Sequence, residues 1–352
     1  MERIRKLQGV LRQKGLGAFL VTHPYNVRYL CSFAGTNGAL LVTAEKAVLM
    51  TDFRYLRSAR KQVPKGVSIF NQKQGISKLL GRLKVLGFEE HHMTYARVSS
   101  LKKQLPSVRL KPTGGLVEEL RMIKEESEVK LIRKACRMTD ECLRRLVGKI
   151  KFGVSEDELT WELLKIAREL GADGFSFPPI ICFGKNTADV HHVKEPNKLK
   201  RGESVLIDFG IEYKGYATDM TRVFYTRKPT SVEQKLYSTV WEANQAAIAA
   251  IAVGKKASEV DQAARDVIKK ARYGRYFGHS TGHGVGLEVH EAPTVGAKGE
   301  ALIAPGMVFT IEPGIYLNRL GGVRIEDMVY VNPQGKVEVL TTFPKKLIIL
   351  KV

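Results

Sequence analysis

The chain has 352 residues, 44% of them hydrophobic, and a formal net charge of +21. That length carries two domains with substantial cores, and no apolar run approaches the roughly 18 residues needed to cross a bilayer. Four cysteines without a CxxC pair argue against a zinc ribbon or a disulfide framework.

In chain order, the first segment reads as a helix over 2–14, with Ile4, Leu7 and Leu11 on one face, followed by the strand-like AFLVT. It has a charged start but no apolar signal core, so a cytoplasmic protein without a membrane partner is expected. Strands follow in GALLVTAEKAVLMTD (38–52), then a helix near 53–62, a strand VSIF (67–70), a helix near 75–86 and a strand MTYA (93–96). That is an α/β pattern with short turns. KPTGG (111–115) breaks it, which sets a boundary between 115 and 122 and predicts domains 1–118 and 119–352. One long charged helix is expected over 116–147, then helices over 156–170, 231–252 and 257–271, the last two among hairpins. An N-terminal α/β domain followed by an α+β domain is the predicted fold class.

The charge is uneven: residues 1–120 hold 21 Lys and Arg against 7 Asp and Glu. A basic half raises the question of nucleic acid. The cations are scattered and no aromatic residues interleave them in an RNA-binding pattern, so a solvated basic surface is expected, with no specific nucleic-acid partner.

The chemistry concentrates in the second half. SVLIDFGIEY and GYATDMTRVFY flank a Lys214-Gly215 turn, which brings Asp208 and Asp219 within one diagonal step across the ladder. MVFTIEPGIYL and GGVRIEDMVYV fold about Arg319, which sets Glu312 opposite Glu326. A single Asp in such a place is ordinarily a turn or capping carboxylate. Four carboxylates and His283, all within strand-like or Gly-rich stretches, would repel and neutralise unless cations sat among them. Asp208, Asp219, His283, Glu312 and Glu326 form an oxygen-rich set suited to two divalent ions, Mn²⁺ ahead of Co²⁺, Fe²⁺ or Zn²⁺, with no thiolate ligand.

The remaining histidines divide by context. His283 sits between glycines that leave its ring free to ligate. His279 suits packing or a hydrogen bond behind the site as well as it suits catalysis. His290 alternates with Leu287 and Val289, and Glu291 beside it offers a partner. His191 and His192 share a loop, and spacing does not choose between them. His23, His91 and His92 read as surface or packing residues.

LIDFG, TDMTR, HSTGHGVGLEVHE, FTIEPGIY and VRIED resemble the motifs of the pita-bread metallopeptidases, specifically the Xaa-Pro branch of aminopeptidase P and prolidase. VRYLCSFAGTNGALLVTAEKAVLMTDFRY is similar to that branch's N-terminal, non-catalytic domain. The resemblance implies that Asp208 and Asp219 bind one metal and His283 with Glu312 the other, while Asp219 and Glu326 bridge. It implies Glu312 as general base and His191, through NxAxxH, with His290 as groups that orient substrate. Arg324 and Thr221 would support the site, with His279 behind it. It also implies a proline-containing peptide substrate and a homodimer.

One position departs from the pattern: many prolidases carry Arg after HE-x-Pro, where Thr294 stands here. The sequence therefore favours aminopeptidase P-like cleavage of longer peptides, with Xaa-Pro dipeptidase as the alternative. A non-catalytic binding module is disfavoured because all five ligand positions are filled.

Overall fold

The apolar runs near the N-terminus pair as a six-stranded sheet in a computed structural model that describes residues 1–352. Ala18–Val21, Gly38–Thr43 and Ala47–Thr51 run antiparallel at its centre. Val67–Asn71 joins one edge in parallel, and Val85–Glu89 then Arg109–Thr113 join the other. The helix Glu2–Gln13 buries Ile4, Leu7 and Leu11, the face its spacing predicts.

Three expectations in this region need correction. The helix over 75–86 is a single turn, Ser77–Leu80, because Gly81 leaves helical space at φ +54° and Val85–Glu89 enters the sheet. MTYA is not a strand: Thr94 Oγ1 accepts from the Arg97 amide at 3.3 Å and caps the helix Tyr95–Gln104. The long helix over 116–147 is two, Leu116–Met122 and Glu126–Val147, the second opened by a reciprocal cap between Glu125 and Glu128. The helix Pro24–Cys31, with Pro in its first turn, was not foreseen.

Contacts divide the chain into two units, Met1–Arg121 and Met122–Val352. In the second, Ser204–Phe209 and Met220–Tyr225 form an antiparallel pair flanked by Ile180–Phe183 and Ile348–Ile349. Leu143, Leu146, Leu159 and Leu163 from Glu126–Val147 and Glu156–Glu169 bury against Val205, Ile207 and Phe209 of that sheet. A five-stranded sheet holds Gly282–Gly284, Glu291–Val295, Val308–Ile311, Asp327–Val331 and Val337–Val339. The helices Ser231–Ala250 and Ala257–Lys270 supply Leu236, Val240, Val260 and Ile268 to a core shared with Phe309, Ile311 and Val329.

Both hairpins keep the predicted register. Tyr213 pairs with Tyr216 across Lys214 (φ 51°) and Gly215 (φ 77°), and Asp208 faces Thr221. In the other, Ile311 pairs with Asp327 and Gly314 with Arg324, so Glu312 and Glu326 share one register between two ladders. Behind the sheets, Arg222 and Lys345 neutralise the fully buried Asp327 at 2.8 Å each. No helix is long and apolar enough to cross a membrane.

Candidate metal centre

The two hairpins and the Gly-rich strand converge on one cavity of about 510 Å³ in the second unit. Asp208 ends its strand, and Asp219 stands just before Met220–Tyr225 on the paired one. Gly282–Gly284 passes so close to its neighbour that a Cβ on Gly282 would lie 1.9 Å from the Thr310 carbonyl oxygen. Only glycine permits that approach, and it sets His283 against the carboxylates.

Oxygens of Asp208, Asp219 and Glu326 lie within 4.8 Å of one another, as do ligand atoms of His283, Glu312 and Glu326. Glu326 belongs to both groups. His283 Nε2 lies 3.3 Å from Glu312 Oε1 and 3.6 Å from Asp219 Oδ2. Its Nδ1 is 3.1 Å from the Gly284 carbonyl, so the proton belongs on Nδ1 and the Nε2 lone pair faces the acids.

Electrostatics favour cations here. Asp208 Oδ1, Asp219 Oδ1 and Glu326 Oε1 are buried without a hydrogen-bond partner. Burial, reinforced by neighbouring carboxylates, raises Asp219 and Glu326 well above the usual carboxylate range and pushes Glu312 up to about 7. Burial, with His290 beside it, lowers His283 to about 4, which keeps the ring neutral and able to ligate. Three orphaned acid oxygens, with Asp219 and Glu326 raised for want of a counter-charge and a neutral imidazole facing them, fit divalent metal ions.

Around this set the structure adds supports. Thr221 Oγ1 donates to Glu326 Oε2 at 2.7 Å. Arg324 spends its guanidinium three ways: on Thr221 Oγ1 at 3.1 Å, on the Tyr316 hydroxyl at 3.0 Å, and on Asp208 Oδ2. His279, lowered by burial to about 4, holds the Ser280 carbonyl and the Tyr316 hydroxyl at 2.8 Å each. Tyr316 stands in FTIEPGIY but carried no role in the sequence reading. Its function as a link appears only from side-chain contacts.

The other histidines resolve as follows. His191 and His290 line the cavity. The His290 ring lies 4.3 Å from that of His283, and its ligand atom groups with those of Asp219 and His283, nearer the acids than expected. His192 also borders the cavity, but its Nε2 is held at 2.9 Å by Glu156. Glu291 forms an almost fully buried ion pair with Lys124 at 2.7 Å. Phe177, Pro178, Ile180 and Val190 supply an apolar wall.

Residues 130–333 match the model of metallopeptidase family M24, and residues 3–123 match the creatinase/prolidase N-terminal domain. The chain belongs to metallopeptidase family M24. Its fold is accordingly the pita-bread fold with the N-terminal domain of that family's creatinase/prolidase members. An Xaa-Pro dipeptidase from Bacillus anthracis superposes with a TM-score of 0.94 at 39% identity, over 99% of each chain. The Xaa-Pro dipeptidase of Pyrococcus horikoshii is 33% identical over 95% of each. An X-Pro aminopeptidase from Thermotoga maritima superposes at 0.87 with 30% identity, over 96% of this chain and 99% of that one.

Proposed function

We propose that the protein is an Xaa-Pro dipeptidase using two divalent metal ions. The observation that carries this reading is the convergence of five metal-ligating groups in one cavity of a chain 33–39% identical, end to end, to proteins named as Xaa-Pro dipeptidases. Asp208 and Asp219 would hold one ion and His283 with Glu312 the other, with Asp219 and Glu326 shared. Mn²⁺ is the first ion to test, since carboxylates dominate the set. Bound ions would supply Lewis acidity to an attacking water and to the scissile carbonyl.

The chain's own residues do the rest. Glu312, grouped with His283 and Glu326, accepts the proton of the attacking water and passes it toward the leaving proline nitrogen. His290, lowered by burial and therefore neutral near pH 7, offers one N–H to the developing oxyanion. His191 sits on the same cavity and orients the peptide. Arg324 and Thr221 hold Asp208 and Glu326 in place. The wall of Phe177, Ile180 and Val190 excludes water beside the substrate.

Aminopeptidase P-like cleavage stands as a second reading for one reason. Thr294 lines the cavity, and the one Arg or Lys there, Arg324, is paired with Asp208 and also bonded to Thr221 and Tyr316. No free cation awaits a dipeptide carboxylate. Steady-state kinetics on Ala-Pro and Ala-Pro-Ala with Mn²⁺ separate the two. We expect faster cleavage of Ala-Pro; a preference for the tripeptide makes the enzyme an aminopeptidase, and equal rates on Ala-Ala refute proline specificity. We further propose a homodimer, for which light scattering should give twice the 39.3 kDa chain mass; a monomer with full activity refutes it.

A further inference from the structure

We infer that Glu156 and His192 form a positioning pair that fixes where His191 stands in the cavity. This rests on His191 acting on substrate, as proposed above.

The two histidines are consecutive, yet their surroundings differ sharply. His191 is exposed toward the cavity, and its ring makes no hydrogen bond. Nothing on the side chain itself holds it, so its place depends on the backbone to either side. His192 is anchored: its side chain is 4% exposed and its Nε2 lies 2.9 Å from Glu156 Oε2. Glu156 is wholly buried at the first turn of Glu156–Glu169, where the helix amides favour a carboxylate.

The same Glu156 oxygen accepts the Glu195 amide at 3.1 Å. Glu195 in turn accepts from Asn186 at 3.2 Å and Asn197 at 2.7 Å. The segment is thus tied before His191, at Asn186, and after it, at His192 and Glu195. The His192 ring and the Glu195 amide meet on one Glu156 oxygen, and Asn186 reaches it through the Glu195 side chain.

Stability alone is a poor reason for this arrangement. Glu156 Oε1 is buried without a partner, and a buried acid left half-satisfied gains little over an apolar replacement. Positional precision is the better account, because a displacement of about 1 Å in a group that orients substrate can cost on the order of 10² in rate.

A double-mutant cycle on the Mn²⁺-loaded full chain tests this, with kcat, KM, metal content and Tm measured for His192→Asn, His191→Ala and the double variant. We expect His192→Asn to lower kcat about tenfold or more with metal content unchanged. The same change in the His191→Ala background should then cost almost nothing further. Should His192→Asn fail to fold, Glu156→Gln, which keeps the side-chain volume, takes its place in the cycle. A His192→Asn protein with normal kcat, or equal losses in both backgrounds, overturns the pair while leaving His191 its role. Full activity of His191→Ala overturns that role and the purpose of the pair with it.

Discussion

Glu312 combines two properties that one substitution can separate. It is grouped with His283 and Glu326 as a ligand, and its carboxylate faces the cavity, where it can take a proton from water. Glu312→Gln keeps volume and removes charge, so turnover should fall to near background while circular dichroism holds. Near-normal turnover would strip Glu312 of both roles. His290→Ala should instead lower kcat by a factor on the order of 10² and leave metal content intact. Loss of metal in that variant, read by elemental analysis, would make His290 a ligand beside Asp219 and His283, to which it lies close. These groups stood out only as a set, because a lone carboxylate reads as a turn or cap and five chemically matched groups in apolar or Gly-rich runs do not. Tyr316 did not stand out, since its value lies in touching His279 and Arg324, eight and more residues away in directions that chain order does not encode.

Elements were legible where local chemistry dictates geometry. The Lys214-Gly215 turn has two residues with positive φ, and such a turn leaves only one register for its strands. From that register the approach of Asp208 and Asp219 follows. Arg109–Thr113 escaped notice because it is a largely exposed edge strand, RLKPT, without alternation to read. The one-turn helix at Ser77–Leu80 was overextended because Gly81 hides in a Leu-rich run. The Gly282 contact tests the element scale directly. Gly282→Ala forces a methyl group into the Thr310 backbone, so we expect a loss of about 1–3 kcal/mol in urea denaturation, with weaker metal retention through His283. An unchanged midpoint would mean that the strand can move aside, and that His283 is placed by something other than this close approach.

For the whole molecule, the metal centre makes stability depend on pH in a way that its loading should reverse. In chelated protein, Asp219 and Glu326 bind protons more tightly than an unfolded chain does, and so does Glu312, up to about 7. Carboxyls raised in this way stabilise the fold fully below their ordinary range. That contribution disappears as pH climbs through the folded values. His279 and His283, lowered to about 4, act in the opposite sense. Their contribution is present above the ordinary histidine value and is lost as pH falls toward 4. Below about pH 6.5 the two trends oppose each other. Above pH 7 the histidines are neutral in both states, and the acids remain, joined nearer pH 9 by the thiols of Cys31, Cys136, Cys142 and Cys182, which burial pushes up. Metal-free protein should therefore lose Tm as pH rises through about 7, where Glu312 gives up its proton, at up to about 1.4 kcal/mol per pH unit for each carboxyl still titrating. For a chain of 352 residues that corresponds to at most about 2 °C per kcal/mol. With Mn²⁺ at a hundred times its dissociation constant, each bound ion adds about 2.7 kcal/mol, and the ions replace the protons. The loaded curve should then be higher and fall less steeply as pH rises. Differential scanning fluorimetry of both forms at matched ionic strength reads the difference, and subtracting one from the other cancels the titration of the basic surface. Parallel curves above pH 7 would show that the buried acids are not the cation site.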